Sequence, residues 1–162
     1  MSRPAADSWA LLEAGGIVRS GDGPAPYRPL MAPAAASELV AQFAAAVADA
    51  RADLVLVWDE LDQIVLGQLL AAQLRVPVAR AYDADGLVAI RDETPLDGRV
   101  LVVTDALREE RTLAAMRAIA EQQGATVAGI AVLVGTPELR AAAGTDPVYA
   151  LVQWGDRAQG SS

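Results

Sequence analysis

The chain has 162 residues, with 13 basic and 21 acidic side chains and a formal net charge of −8 at pH 7. All the basic residues are arginine, and the sequence contains no lysine, histidine, cysteine or asparagine. These absences exclude Ser-His-Asp triads, thiol nucleophiles, Cys/His zinc sites, disulfides and lysine-based chemistry. The chemistry that remains belongs to carboxylates, guanidinium groups, hydroxyls, backbone amides and hard metal ions.

The charge and the apolar pattern of the sequence also indicate which binding partners and which cellular location to expect. The acidic balance argues against a nucleic-acid partner, because nucleic-acid phosphates need clustered cations. No apolar run approaches the roughly 18 residues of a membrane span, and the N-terminus lacks the apolar core of a signal peptide. We therefore expect a cytoplasmic protein with no membrane partner. A single domain over residues 1–162 is expected, frayed at about 1–7 and 155–162, because no linker composition divides it.

Two helices are predicted at the start of the chain. The Trp9–Ala14 segment has helical composition and ends at Gly15, a residue that commonly terminates helices. A second helix begins near Ala34 or Ser37 and extends to Ala50, because apolar residues recur in it at spacings of three and four. One face of this second helix is therefore expected in the core.

The rest of the chain alternates between strands and helices. Some of its apolar runs are apolar on both faces, a pattern typical of central parallel strands. The predicted elements are strand Leu54–Trp58, helix Leu61–Leu74, a strand pair Pro77–Tyr82 and Leu87–Ile90, strand Arg99–Val103, helix Glu109–Gln123, strand Thr126–Val134, a short helix between Thr136 and Gly144, and strand Val148–Trp154. This alternation predicts an α/β domain with a mostly parallel twisted sheet flanked by helices.

One segment carries a family resemblance. Residues 99–113 read RVLVVTDALREERTL and precede a helix that ends at Gly124. The segment resembles the type I phosphoribosyltransferases, in which this strand ends in two acids before a Thr/Gly-rich loop that opens a helix. The 54–74 unit and the sequence LLEAGGIV at 11–18 are similar to the orotate phosphoribosyltransferase branch, as is Ser20-Gly21 followed by Pro26-Tyr27. The resemblance covers about residues 9–135 and implies the fold of that family.

The ribose phosphate motif departs from the family pattern. In the family, the two strand-end acids bind the ribose hydroxyls, and backbone amides at the helix start hold the 5-phosphate. Here Asp105 matches the second acid, but Thr104 stands at the first acidic position. The phosphate loop has become Arg108-Glu109-Glu110-Arg111 before the matching Thr112. A carboxylate at about 4 Å from a phosphate charge costs about 4 kcal/mol at an effective dielectric near 20, which the two arginines offset in part. These changes predict a pocket closed to phosphate.

Two further family segments are rewritten. The diphosphate loop after the first core strand is small and Gly-rich in the family, whereas this chain has Trp58-Asp59-Glu60-Leu61-Asp62. The resemblance also implies a basic catalytic flap carrying lysine. This chain instead has the acidic turn 83–86 and Arg91-Asp92-Glu93, with no lysine anywhere.

The acidic residues of these segments allow two interpretations. Six of them are expected at the carboxyl ends of adjacent parallel strands, where open α/β sheets bind ligands: Asp59, Glu60, Asp62, Asp105, Glu109 and Glu110. In one interpretation the crevice holds Mg²⁺ or another hard cation, with Asp59, Asp62 and Asp105 as candidate ligands, or a basic group of a partner. In the other, these are ordinary helix-start acids and solvated loop charge.

Aromatic residues and one arginine also have two interpretations. Trp9, Trp58 and Trp154 form either a base-stacking platform or core and subunit contacts. Arg28 lies in the region that helps position ligand in the orotate branch, but the prolines on either side of it equally predict a rigid surface turn.

The sequence keeps the strand and helix pattern of the family, but its three ligand-binding loops differ from the family pattern. This combination favours one function. We expect a phosphoribosyltransferase-like protein that has lost phosphoribosyl transfer and acts as a binding or regulatory subunit, a homodimer with a protein partner. No catalytic residue is assigned. Two alternatives stay open: an active transferase on orotate or a related base using Mg²⁺ and phosphoribosyl diphosphate, and a metal-dependent enzyme that uses the acidic crevice.

Overall fold

A computed structural model describes residues 5–17, 23–106 and 110–159 of the chain. The six strands are β1 Leu54–Trp58, β2 Val78–Ala84, β3 Leu87–Ile90, β4 Arg99–Thr104, β5 Thr126–Gly135 and β6 Val148–Gln153. They form one sheet in the order β3-β2-β1-β4-β5-β6, in which β2 and β3 are an antiparallel hairpin and all other neighbours are parallel. The predicted fold class is confirmed.

Five α-helices are described within those ranges. They are α1 Ala5–Ala14, α2 Pro33–Ala46, α3 Leu61–Leu74, α4 Glu110–Gln122 and α5 Pro137–Ala143. Short 3₁₀ helices cover Pro29–Met31, Ala48–Ala50, Arg91–Glu93 and Trp154–Gln159. None of the helices in the described ranges is long and apolar enough to cross a membrane.

Helix ends follow local sequence signals, with a few differences from the prediction. α3 has the predicted bounds, and Thr136 caps α5 as expected, because its hydroxyl accepts a hydrogen bond from the Leu139 amide at 3.2 Å. α2 stops at Ala46, and the last predicted turn is a 3₁₀ helix that ends where Arg51 adopts a left-handed conformation, φ 49°. α1 begins at Ala5, so helical backbone reaches into the segment expected to fray.

The sheet is covered by helices on both faces. Successive strand residues point to opposite faces, so Val55 and Val57 join one core cluster and Leu54 and Leu56 the other. The first cluster packs α1, α2 and α3 against the sheet, and the second packs α4 and α5. Five central side chains are fully buried, as the apolar runs predict: Leu56, Val57, Val102, Val103 and Ile130.

Candidate functional site

The strand order places a crevice between β1 and β4. From β1 the chain proceeds outward to β2 and β3, and from β4 it proceeds in the opposite direction to β5 and β6. Open α/β sheets bind ligands beyond the carboxyl ends of the strands at such a reversal. Trp58 ends β1 and Thr104 ends β4, and both line a cleft of about 640 Å³. This volume is in the range of small-molecule sites.

Three parts of the fold form the walls of this cleft. Trp58, Glu60 and Gln63 come from the end of β1 and the start of α3, and Asp83, Gly86 and Val88 come from the β2–β3 hairpin. The end of β4 and the first turns of α4 complete the lining with Thr104, Ala106, Arg111, Thr112, Leu113, Ala115 and Met116. The wall therefore combines an indole and aliphatic groups with hydroxyls, carboxylates and one guanidinium group.

The structure brings five of the predicted site residues together in the cleft: Trp58, Glu60, Thr104, Arg111 and Thr112. The pattern-based prediction missed Gln63, Val88 and Met116. The spacing of Met116 in α4 had indicated only a core position, which it also occupies. Arg108 and Glu109 lie outside the described residues. Glu110 is exposed as the first residue of α4.

Asp105 is buried and engaged inside the fold. It is 1% exposed, and its Oδ2 accepts a hydrogen bond from the Tyr27 amide at 2.8 Å. Its Oδ1 accepts from Gln63 Nε2 and from the Ala106 amide, each at 2.8 Å. A buried carboxylate requires such donors, because the protein interior solvates charge poorly. Asp105 therefore ties the loop before α2 and the first turn of α3 to the end of β4.

The loop that Asp105 holds is packed against the first helix. Tyr27 is 1% exposed, and burial raises the pKa of its phenol to about 12. Its ring lies so close to Gly15 that a Cβ there would overlap it. The exposed Arg28 donates its amide to the Gly15 carbonyl at 2.9 Å and lines a second cleft of about 160 Å³. Arg28 is not among the residues that line the larger cleft.

Asp59 lies at the end of β1 and is held by two arginines. Arg80 Nη1 donates to Asp59 Oδ1 at 3.2 Å, and Arg91 Nε donates to Asp59 Oδ2 at 2.7 Å. The hydrogen bond to Asp59 is the main cause that raises the pKa of Arg91. Arg80 Nη2 also donates to Asp92 at 2.7 Å, and the Arg91 guanidinium lies 3.6 Å from the centre of the Tyr82 ring. We call these five residues the Asp59 cluster.

The candidate metal ligands do not assemble a site. Within residues 5–17, 23–106 and 110–159, no three acidic side chains are close enough together to hold a metal ion. Asp59 is paired with two guanidinium groups, Asp105 is turned into the core, and Asp62 is absent from the cleft lining. The described residues therefore do not fit Mg²⁺ as a resident cofactor.

The three tryptophans do not form a stacking platform. Trp9 and Trp154 meet edge to face, with ring centroids 6.3 Å apart, and pack against the α1–α3 side of the core. Trp58 packs on the opposite side of the sheet, where it lines the cleft. Trp58 is therefore the one tryptophan in position to contact a ligand of this cleft.

Solved structures share this architecture. Orotate phosphoribosyltransferase from Aeropyrum pernix is 19% identical, with a TM-score of 0.74 over 94% of this chain and 96% of that one. Adenine phosphoribosyltransferase from Thermoanaerobacter pseudethanolicus is 20% identical, with a TM-score of 0.72 over 89% and 99% of the two chains. The Mycobacterium tuberculosis orotate phosphoribosyltransferase, solved with inorganic phosphate, is 17% identical, with a TM-score of 0.66 over 96% and 98%. This chain has the type I phosphoribosyltransferase fold.

The comparisons of sequence give no match, in contrast to the comparison of structures. No protein-family model matches the sequence, and no curated protein matches it. Identities at or below 20% establish the phosphoribosyltransferase fold alone. Within that fold, the cleft is lined by Trp58 at the end of β1, by Glu60, by the β2–β3 hairpin, and by Thr104 with the start of α4.

Proposed function

We propose that this protein is a phosphoribosyltransferase-like binding or regulatory subunit that does not transfer phosphoribosyl groups. The observation that carries the proposal is the engagement of Asp105, the acid that the resemblance assigns to the ribose. Both of its oxygens accept hydrogen bonds from the Tyr27 amide, the Gln63 side chain and the Ala106 amide. A ribose hydroxyl would have to displace buried donors, and each donor left unpaired costs about 1–3 kcal/mol.

The phosphate-binding parts of the cleft support the same proposal. Glu110 is the first residue of α4, where its carboxylate satisfies the helix dipole that a phosphate would otherwise use. Trp58 and Glu60 occupy the wall where a diphosphate needs small residues and close backbone approach. The cleft remains large enough for a small molecule. The proposed protein therefore binds a ligand there but does not transfer a phosphoribosyl group.

We further propose that the protein acts in the cytoplasm as a homodimer with a protein partner. Large apolar side chains are exposed on the 3₁₀ helix before α2 and at the start of α3: Leu30 is 57% exposed, Met31 51% and Leu61 65%. Exposed apolar groups of this size are often covered by protein contacts.

An active transferase is the second candidate, and two residues favour it. Arg111 and Thr112 line the cleft at the start of α4 and offer a cation and a hydroxyl to a phosphorylated ligand. Its base would be orotate or a related base. The metal-dependent alternative has no assembled ligand set in the part of the chain that the structure describes.

Calorimetry separates the two candidates. Titration with phosphoribosyl diphosphate and Mg²⁺ is expected to give no binding heat, whereas an active orotate phosphoribosyltransferase titrated in parallel does bind. Micromolar binding by this protein would overturn the proposal in favour of an active transferase. Product formation from phosphoribosyl diphosphate with orotate or adenine would overturn it as well.

A further inference from the structure

The two edges of the sheet differ in their protection against pairing with another strand. At one edge, β3 has only four residues, and Arg91, Asp92 and Glu93 follow it directly. Short strands and adjacent charges are common devices that prevent an edge from adding a further strand. At the other edge, β6 has six residues, Val148–Gln153, and none of them is charged. β6 therefore lacks the protection that β3 has.

β6 is also regular along its whole length. Its parallel register with β5 is constant from Ile130 opposite Val148 to Gly135 opposite Gln153. The irregularity of β5 lies in its pairing with β4, on the side away from β6. Pro147 precedes β6, but its carbonyl accepts the Ile130 amide at 2.8 Å, so Pro147 faces β5 and leaves the outer edge unaltered. Neither a bulge nor a proline therefore blocks the outer side of β6.

The pairing with β5 also determines which backbone groups of β6 point outward. Alternate residues of a strand direct their N–H and C=O groups to opposite sides. Since Pro147 faces β5, Tyr149 and Leu151 face β5 as well. The residues between them direct their backbone groups to the outer edge: Val148, Ala150 and Val152. No strand within residues 5–17, 23–106 and 110–159 pairs with that side of β6.

Partly exposed aromatic residues border this edge. Tyr149 lies in β6, Trp154 follows the strand, and Trp9 of α1 meets Trp154 edge to face. All three are half-buried and pack against the core on the α1–α3 side. Tyrosine and tryptophan are enriched in protein interfaces, whereas charged residues are depleted at interface centres. The composition of the edge therefore fits a contact with another protein chain.

We propose that β6 is the contact surface of a homodimer, in which it pairs antiparallel with β6 of a second copy. This inference rests on the homodimer of the proposed function and assigns a surface to it. A second copy fits because it supplies another uncharged, regular strand, although the chain as a whole carries a net charge of −8. A two-fold axis joins the unprotected edge of one described sheet to the same edge of the other, so the assembly closes at two chains.

One register pairs the outward groups of both strands. With Ala150 on the two-fold axis, Val148 lies opposite Val152 of the partner subunit, and the outward residues form about six hydrogen bonds. Tyr149 then lies opposite Leu151 of the partner subunit at the closer, non-hydrogen-bonded position, where an aromatic and an aliphatic side chain stabilise the pair. A register shifted by two residues pairs fewer of the outward groups.

Proline at Ala150 tests this pairing with little effect on the fold. The Ala150 N–H points outward, so its loss removes no hydrogen bond to β5, and proline is tolerated in edge strands. Light scattering during size-exclusion chromatography is expected to show a dimer for the parent and a monomer for Ala150→Pro, with unchanged circular dichroism. Ala150→Ser, which keeps the N–H, is the matched control and should remain dimeric. Val148→Pro removes another outward donor and should also give a folded monomer.

The absence of cysteine from the chain allows a direct test of the register. Opposite residues of a hydrogen-bonded antiparallel pair have Cα atoms about 5.5 Å apart, within the range of about 4.4–6.8 Å that a disulfide spans. Under mild oxidation, Ala150→Cys is expected to form an intersubunit disulfide at least about tenfold faster than Tyr149→Cys or Leu151→Cys, whose copies lie farther apart. Preferred cross-linking of either flanking variant, or of none of the three, would overturn the proposed pairing.

The exposed apolar residues elsewhere on the protein provide the alternative interface. Leu61→Gln and Met31→Gln, at side chains that are 65% and 51% exposed, are expected to leave the dimer intact. Dissociation by these variants but not by Ala150→Pro would overturn the β6 pairing and leave the homodimer standing. A monomeric parent would overturn both. Neither result alters the phosphoribosyl diphosphate titration, and binding in that titration would overturn the proposed loss of transfer alone.

Discussion

Gln63 donates from its side-chain amide to the Asp105 carboxylate at 2.8 Å, and both residues are buried at the floor of the crevice between β1 and β4. The bond connects the first turn of α3 to the end of β4 across 42 residues of sequence. Together with the amides of Tyr27 and Ala106, it orients the Asp105 carboxylate through donors within the fold.

The first prediction concerns Asp105. Asp105→Ala leaves the buried donors of Tyr27, Gln63 and Ala106 without their acceptor, so the free energy of unfolding should fall by about 3 kcal/mol or more. Urea unfolding followed by circular dichroism measures this change. The control Asp62→Asn, in the first turn of α3 and outside the cleft lining, should remain within about 0.5 kcal/mol of the parent. Similar stability of Asp105→Ala and the parent would show that these hydrogen bonds contribute little to folding.

The second prediction concerns the contact between Gly15 and Tyr27. Gly15→Ala introduces a Cβ that overlaps the Tyr27 ring, and overpacking of this kind costs about 1–3 kcal/mol. Thermal melting should show a clear loss, whereas Gly155→Ala, where an added Cβ meets open space, should melt like the parent. If both variants melt alike, the loop that carries Tyr27 adjusts freely, and its attachment to Asp105 is weak.

Local apolar pattern predicted the elements of the fold well. Leu54–Trp58 and Leu61–Leu74 have the predicted bounds, because each is a long apolar or periodic run followed by a clear change of composition. The crevice was also predictable, since parallel strands present their carboxyl ends at one edge of the sheet.

Side-chain direction at the strand ends was not predictable from the same patterns. Asp105 is turned inward, and two of its three donors come from 78 and 42 residues away, contacts for which sequence spacing carries no signal. Asp59 is held by Arg80 and Arg91, 21 and 32 residues along the chain, for the same reason. Of the two interpretations of these acids, the shared metal ion has no assembled ligand set among residues 5–17, 23–106 and 110–159, where Asp59 and Asp105 each accept hydrogen bonds from nitrogen donors.

The third prediction concerns the core beneath the crevice. Val103 is fully buried on β4, so Val103→Ala removes two methyl groups and leaves a cavity that costs about 2 kcal/mol. For a chain of this size the melting temperature should fall by roughly 4–8 °C. Val65→Ala, on the half-buried part of α3, should change it little, because alanine favours helix. Unchanged melting of Val103→Ala would contradict the packing of the sheet centre.

The fourth prediction is a loss of stability at alkaline pH caused by Tyr27. Its pKa is about 12 in the folded protein and about 10 when unfolded, so the unfolded state loses its proton first. The contribution of the Tyr27 phenol to the free energy of unfolding is fully present below pH 10. It declines by up to about 2 kcal/mol as the pH rises to 12. Because the chain has no lysine or cysteine, its three tyrosines dominate this range. Urea midpoints between pH 9 and 12 should fall less steeply for Tyr27→Phe, and an identical slope would contradict the prediction.

The last prediction concerns charge at the start of α4. If Glu109 and Glu110 exclude phosphate, replacing both with glutamine frees the helix N-terminus for an anion while keeping similar side-chain volume. Weak binding of ribose 5-phosphate should appear in calorimetry, while the loss of the Glu110 carboxylate at the first position of α4 should lower stability by about 0.3–1 kcal/mol. Glu121→Gln, near the carboxyl end of the same helix, is the matched control and should gain no binding. Lower stability of the double variant without binding would show that these acids are not what excludes phosphate. Trp58 and Glu60 would then be the residues that block the cleft, and replacing both with small residues should restore phosphate binding.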